Sequence, residues 1–133
     1  MRIFAGYIDQ LKAAGCDIAF ITALTGHFCF AETQAVATLP LLDGVSVIDR
    51  FCQDKNIKVV GLLGSPAVLN THLFGMMQNV KTVVPQGDQN RIGELYMEMA
   101  TSGVCSPSAR DMFFQAGAEM GEKQDADAVL LAG

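Results

Sequence analysis

The sequence predicts an α/β protein with an open, mainly parallel sheet and flanking helices. Three observations predict it. Apolar runs of strand length, Asp17 to Ala23, Val59 to Leu63 and Asp127 to Gly133, alternate with segments of helical periodicity. The clearest of these runs leads at once into Gly64, Ser65 and Pro66, a strand-to-helix turn in three residues. Apolar residues make up 50% of the 133, enough for one domain with a buried core, or for a domain and a piece of another.

The elements follow in order. Ile3, Phe4, Tyr7, Ile8 and Leu11 recur at helical spacing, and Gly15 closes that helix. Met1-Arg2 leads straight into it, which reads as a cytoplasmic chain with no signal peptide. Asp17 to Ala23 is expected to be a buried strand running into a turn, Leu24-Thr25-Gly26-His27. Phe28 to Thr38 suits a short helix or an irregular connection, and Leu39 to Leu42 a short extended piece. Asp43 can cap a helix reaching about Asn56, with Val45, Val47, Ile48 and Phe51 as its apolar residues.

The stretch from Lys58 to Phe74 organises the rest. Val59, Val60, Leu62 and Leu63 suit a strand covered on both faces. Ser65 is a good N-cap, and Pro66 fits the first helical position, where no backbone donor is needed. A strand end, a glycine turn and a helix start are a natural anion site in an open α/β sheet. His72 falls inside the predicted helix. Thr82 to Val84 is a short strand closed by Pro85, and Gln86 to Asn90 is turn-like. Ile92, Leu95, Tyr96 and Met99 mark a helix ending near Gly103. Ser106-Pro107 repeats the cap-then-proline start of a helix to about Gln124, with Met112, Phe113, Ala116 and Met120 inward. Asp127 to Gly133 is a last buried strand.

Composition excludes several functions. The net charge is −5 and the nine Lys and Arg are scattered, so no basic surface for nucleic acid is expected. No apolar run approaches the roughly 20 residues of a membrane span. The cysteines, Cys16, Cys29, Cys52 and Cys105, have no CxxC or zinc spacing, so no metal site is expected, and they read as buried, reduced thiols. Polar residues Gln53 to Asn56 suggest a boundary between residues 1–55 and 56–133. The chain opens on a helix and closes on a strand, whereas ligands in such sheets sit just past strand ends. That reads as a piece of a larger protein, with a truncated edge that would favour self-association, such as a homodimer.

Three landmarks resemble the aspartate/glutamate racemase family, with its related hydantoin racemases and maleate isomerases. Ile18 to His27, IAFITALTGH, is placed like the family's strand and Cys-Asn-Thr-Ala-His turn. Gly61 to Phe74, GLLGSPAVLNTHLF, resembles its GLLGT-x-x-T strand-turn-helix ending in Leu-Tyr. Ala126 to Gly133, ADAVLLAG, resembles its last strand before a Gly-Cys-Thr-Glu type motif. The resemblance implies a Rossmann-like racemase lobe. Residues 1–55 would be the C-terminal part of a first lobe and residues 56–133 most of a second. It also implies an isomerase in which two cysteines, one from each lobe, move the α-proton of a small dicarboxylate or amino-acid substrate without a cofactor.

Carried over residue by residue, the family's first cysteine falls on Ala23, which cannot transfer a proton. Its Asn falls on Leu24. Thr25 and His27 match, and Thr25, Gly26, His27 and Ser65 are the expected substrate-binding residues. Ser65 keeps the hydroxyl of the family's Thr, whereas the second Thr of that turn falls on Val68. The second cysteine would lie at or beyond residue 134. Cys29, two residues past His27, is the substitute thiol to consider. Two other readings stand beside this one: a non-catalytic small-carboxylate-binding α/β protein, and an unrelated phosphate or nucleotide binder at Ser65. The last lacks the GxGxxG spacing and the Lys of a P-loop.

Overall fold

The computed structural model describes residues 2–133. Helix α1, Arg2–Ala13, precedes β1, Ala19–Phe20, and a 3-10 helix covers Leu24–Cys29. Helix α2, Phe30–Val36, leads to β2, Leu41–Leu42, and α3, Gly44–Asp54. Strand β3, Val59–Gly64, passes into α4, Pro66–Thr71, and a second 3-10 helix, Leu73–Gly75. Strand β4, Lys81–Val83, helices α5, Gln89–Ser102, and α6, Pro107–Gln124, and strand β5, Ala128–Ala132, follow.

The strands form two parallel sheets. β1 pairs with β2, Ala19 opposite Leu41. The second sheet has the order β4-β3-β5, with Val60 opposite Thr82 on one side and Ala128 on the other. β3 is therefore central, and its apolar run is needed on both faces; Val60, Leu62 and Leu63 are all buried. The main core joins them to Val45, Val68, Leu69, Leu73, Ile92 and Met120. A smaller core of Ile8, Ala19, Leu39 and Leu41 underlies the first sheet.

The helix starts follow the sequence signals. Asp43 accepts the amides of Val45 and Ser46, Ser65 that of Val68, Asp88 that of Arg91 and Ser106 that of Ala109. Gly103 closes α5 with φ 71°, a left-handed conformation that costs glycine little.

Other expectations are corrected. The strand predicted over Asp17 to Ala23 is ordered as strand only at Ala19–Phe20, and Ile18 and Phe20 are 56% and 50% exposed. Ala19 packs into the smaller core on one face, and Phe20 on the other is left half-exposed. The expected Leu24 to His27 turn is a turn of 3-10 helix. On α3 the buried face is Val45, Asp49 and Cys52, while Val47 and Phe51 are exposed. Asp49 is inside because its carboxylate accepts the amides of Gln78 and Asn79, pinning the loop before β4. β5 is an edge strand with Val129 and Leu131 exposed, so only alternate residues are covered. Met112 is likewise exposed, as are Cys16 and Cys105; Cys29 and Cys52 are buried, and all four thiols are free. His72 does not continue α4. It ends it in the left-handed region, with Leu73 and Phe74 also at positive φ.

Candidate functional site

The site is built where strand ends meet. In parallel sheets the carboxyl ends lie on one side, and the turns after them face a common crevice. β3 and β5 run in register to Gly64 opposite Ala132. A Cβ on Gly64 would lie 2.6 Å from the Ala132 carbonyl oxygen, so only glycine lets the two strand ends approach this closely. Ser65 follows Gly64 and Gly133 follows Ala132. The 3-10 helix after β1 reaches them through a backbone bond: the Leu24 amide donates to the Gly133 carbonyl at 2.9 Å. The leucine side chain is buried in the main core, although its backbone belongs to the 3-10 helix after β1.

The sequence-predicted residues fall at this junction with different freedoms. Ser65 is 4% exposed, and its Oγ accepts the Val68 amide at 3.4 Å. No described residue accepts its hydroxyl proton. Helix α4 is only six residues long, so the hydroxyl matters more here than a helix dipole. Ala23 is exposed, with a methyl group where the resemblance places a thiol. Thr25 and Gly26 are half-buried in the 3-10 helix, and no hydrogen bond engages the Thr25 hydroxyl among the described residues. His27 points inward at 2% exposure. Its Nε2 accepts the Gly44 amide at 3.2 Å, and its Nδ1 lies 3.4 Å from the Ala23 carbonyl. Cys29 is buried, with Sγ 3.6 Å from the Thr33 hydroxyl and 4.0 Å from the Gly26 carbonyl. Both Cys29 and His27 thus face inward contacts.

A cavity of about 370 Å³ opens beside the 3-10 helix, lined by His27, Phe28, Phe30, Glu32, Asp43 and Phe74. Its walls are aromatic and its charges acidic. Among the described residues no group of three or more His, Cys, Asp and Glu is arranged to hold a metal ion. Nor is any helix long and apolar enough to cross a membrane.

Sequence reasoning missed Tyr96. It reads in the sequence only as one apolar residue of α5. In the structure its buried ring stands at the end of β5, where a Cβ on Gly133 would fall 2.8 Å from Cζ and against the hydroxyl. No described residue bonds that hydroxyl, and burial pushes its pKa above the usual phenol value. Helical spacing could show that Tyr96 turns inward, but not that it meets Gly133 at the end of β5.

No protein-family model matches the chain, and no curated protein matches it. Solved structures do. An aspartate racemase homologue from Pyrococcus horikoshii OT3 superposes with TM-score 0.83 at 16% identity, over 99% of this chain and 59% of that one. The aspartate racemase of Picrophilus torridus superposes with TM-score 0.70 at 20% identity, over 98% of this chain and 55% of that one. The chain has the aspartate-racemase fold. It spans between 55 and 59% of the length of these two matched chains.

Proposed function

We propose that this chain supplies the carboxylate-binding turns of an amino-acid racemase of the aspartate/glutamate type. Such an isomerase moves the α-proton of a small acidic substrate between thiols, with no cofactor. The bond from Leu24 to Gly133 is the observation that carries the reading, because it brings the loop after β1 to the end of β5. On this reading residues 1–55 are the C-terminal part of a first lobe and residues 56–133 most of a second. The separate sheets support that division. Thr25, Gly26 and Ser65 then bind substrate carboxylate through hydroxyl and amide donors. The free cysteines fit a cytoplasmic setting. The exposed Val129 and Leu131 of edge strand β5 fit a homodimer.

Ala23 favours a second reading, a non-catalytic carboxylate binder. A methyl group moves no proton, and Cys29 is held by inward contacts. Both readings expect residues 1–133 by themselves to bind small dicarboxylates without exchanging the α-proton.

The test is thermal denaturation with L-aspartate, L-glutamate or succinate, paired with proton NMR of L-aspartate in deuterated water. Stabilisation by the acids, with no α-deuteration by this chain, supports binding turns that lack the proton-transfer pair. α-Deuteration by the same turns in a longer polypeptide assigns them to the racemase. Tighter binding of ATP or NAD than of aspartate overturns both readings.

A further inference from the structure

We infer that His27 is a proton-sensitive latch holding the Ala23 turn against the start of α3. The inference is independent of the racemase reading. The ring is buried and engaged at both nitrogens. The Gly44 amide can only donate, so Nε2 at 3.2 Å must present its lone pair. Nδ1 then carries the ring proton and donates it to the Ala23 carbonyl at 3.4 Å. The neutral imidazole is thereby held in one tautomer. Phe30, stacked on it at 5.4 Å and 5° between planes, holds the ring orientation. One side chain thus bridges the turn after β1 and the first residue of α3.

A proton on Nε2 abolishes the acceptor and sets two N–H donors against each other. The nearest carboxylate oxygen is Oδ1 of Asp43, 4.0 Å from Nε2. That same oxygen caps the Val45 and Ser46 amides. Of the other charged groups, Glu32 on α2 lines the adjoining cavity, while Phe74 and Met76, across it, bring no charge. Cys29, on the same 3-10 helix, turns its thiol toward Gly26 and Thr33. Proton uptake therefore exchanges one bonding pattern for another. The Gly44 amide is released, and Asp43 is drawn from the cap of α3 toward the imidazolium. Leu24, next to Ala23, is bonded to Gly133.

His27 is a positioning residue in this role, and nitrogen NMR reads the role directly. The chain has two histidines, and a His72→Asn background leaves one ring signal. Asn is tolerated at the left-handed position His72 occupies. While neutral, the ring should show the Nδ1–H tautomer. As pH is lowered, both ring nitrogens should move together to the imidazolium pattern. Protection of the Gly44 amide from exchange, corrected for intrinsic rates, should fall about tenfold as one bond is lost. The Val45 and Ser46 amides should follow, with β3 amides unchanged. His27→Gln keeps an acceptor but does not titrate, so its Gly44 protection should stay flat. An Nε2–H tautomer, a ring that stays neutral until the protein unfolds in acid, or Gly44 protection unchanged while the ring takes up its proton would each overturn the latch. These wild-type-ring measurements decide it even if His27→Gln does not fold.

Discussion

The amide of Leu24 donates to the carbonyl of Gly133 across 2.9 Å, tying the segment after β1 to the end of β5. The side chain reinforces the tie, since Leu24 lies in the same core as Leu62, Val68 and Met120. Leu24→Ala should destabilise the protein by about 2–4 kcal/mol, the range for a buried leucine truncated beside a core that cannot collapse fully. Urea denaturation measures this. A loss well under about 1 kcal/mol would mean that the two sheets do not share this contact.

Ser65 has a cap to make and a hydroxyl proton to offer. Because its bond to the Val68 amide is long at 3.4 Å, Ser65→Ala should cost about 0.5–1 kcal/mol, the low end for an N-cap. Stabilisation by aspartate should disappear in Ser65→Ala and survive in Ser65→Thr, which keeps the hydroxyl. Equal stabilisation of Ser65→Ala and the parent protein would remove Ser65 from the proposed site.

Two buried glycines give opposite expectations. A Cβ on Gly93 would lie 2.8 Å from the Pro66 ring and 2.9 Å from its backbone nitrogen, so α5 would be pushed off the turn after β3. A Cβ on Gly61 would meet the thioether end of Met120 at 2.9 Å, which has rotamers to move through. Gly93→Ala should therefore cost about 2–3 kcal/mol, in the upper range for overpacking, and Gly61→Ala less. Thermal denaturation of the pair, run side by side, checks the order; Gly61→Ala as the weaker protein would contradict it.

Asp127 sets part of the acid limit. Its carboxylate accepts the Lys58 amide at 2.8 Å and the Val59 amide at 3.0 Å, and these bonds hold its pKa below the ordinary carboxylate value of 3.8. A group whose pKa is lower in the folded state stabilises that state above its unfolded value. The contribution is therefore present above pH 3.8 and fades as pH falls through the lowered folded value. Asp127→Asn should reduce stability at neutral pH and flatten the acid limb of the stability curve. Denaturation curves across that range, for both proteins, measure it. Parallel acid limbs would show that the two amide bonds do not couple to proton uptake.

Much of the fold was legible in short-range chemistry. Asp43, Ser65-Pro66 and Ser106-Pro107 announced helix starts because a cap needs only a side-chain oxygen within three residues of its amide. Val59 to Leu63 announced a central strand because only a strand covered on both faces is uniformly apolar. Asp17 to Ala23 is also mainly apolar, yet only Ala19–Phe20 is strand. Whether an apolar run is covered depends on what packs on its two faces, and at β1 only the Ala19 face is covered.

The sequence by itself determined the caps, the helical periods, the buried character of β3 and a serine hydroxyl at its end. It also placed Ala23 where the resemblance calls for a thiol. Only the tertiary structure decided that the parallel strands divide into two sheets. It alone brought Leu24 to Gly133, stood Tyr96 over the end of β5 and engaged both nitrogens of His27. The reason is the range of the interactions. A cap or an amphipathic face is specified within a few residues, whereas a crevice depends on strand order. In a parallel sheet that order is set by long crossovers whose packing no local pattern records.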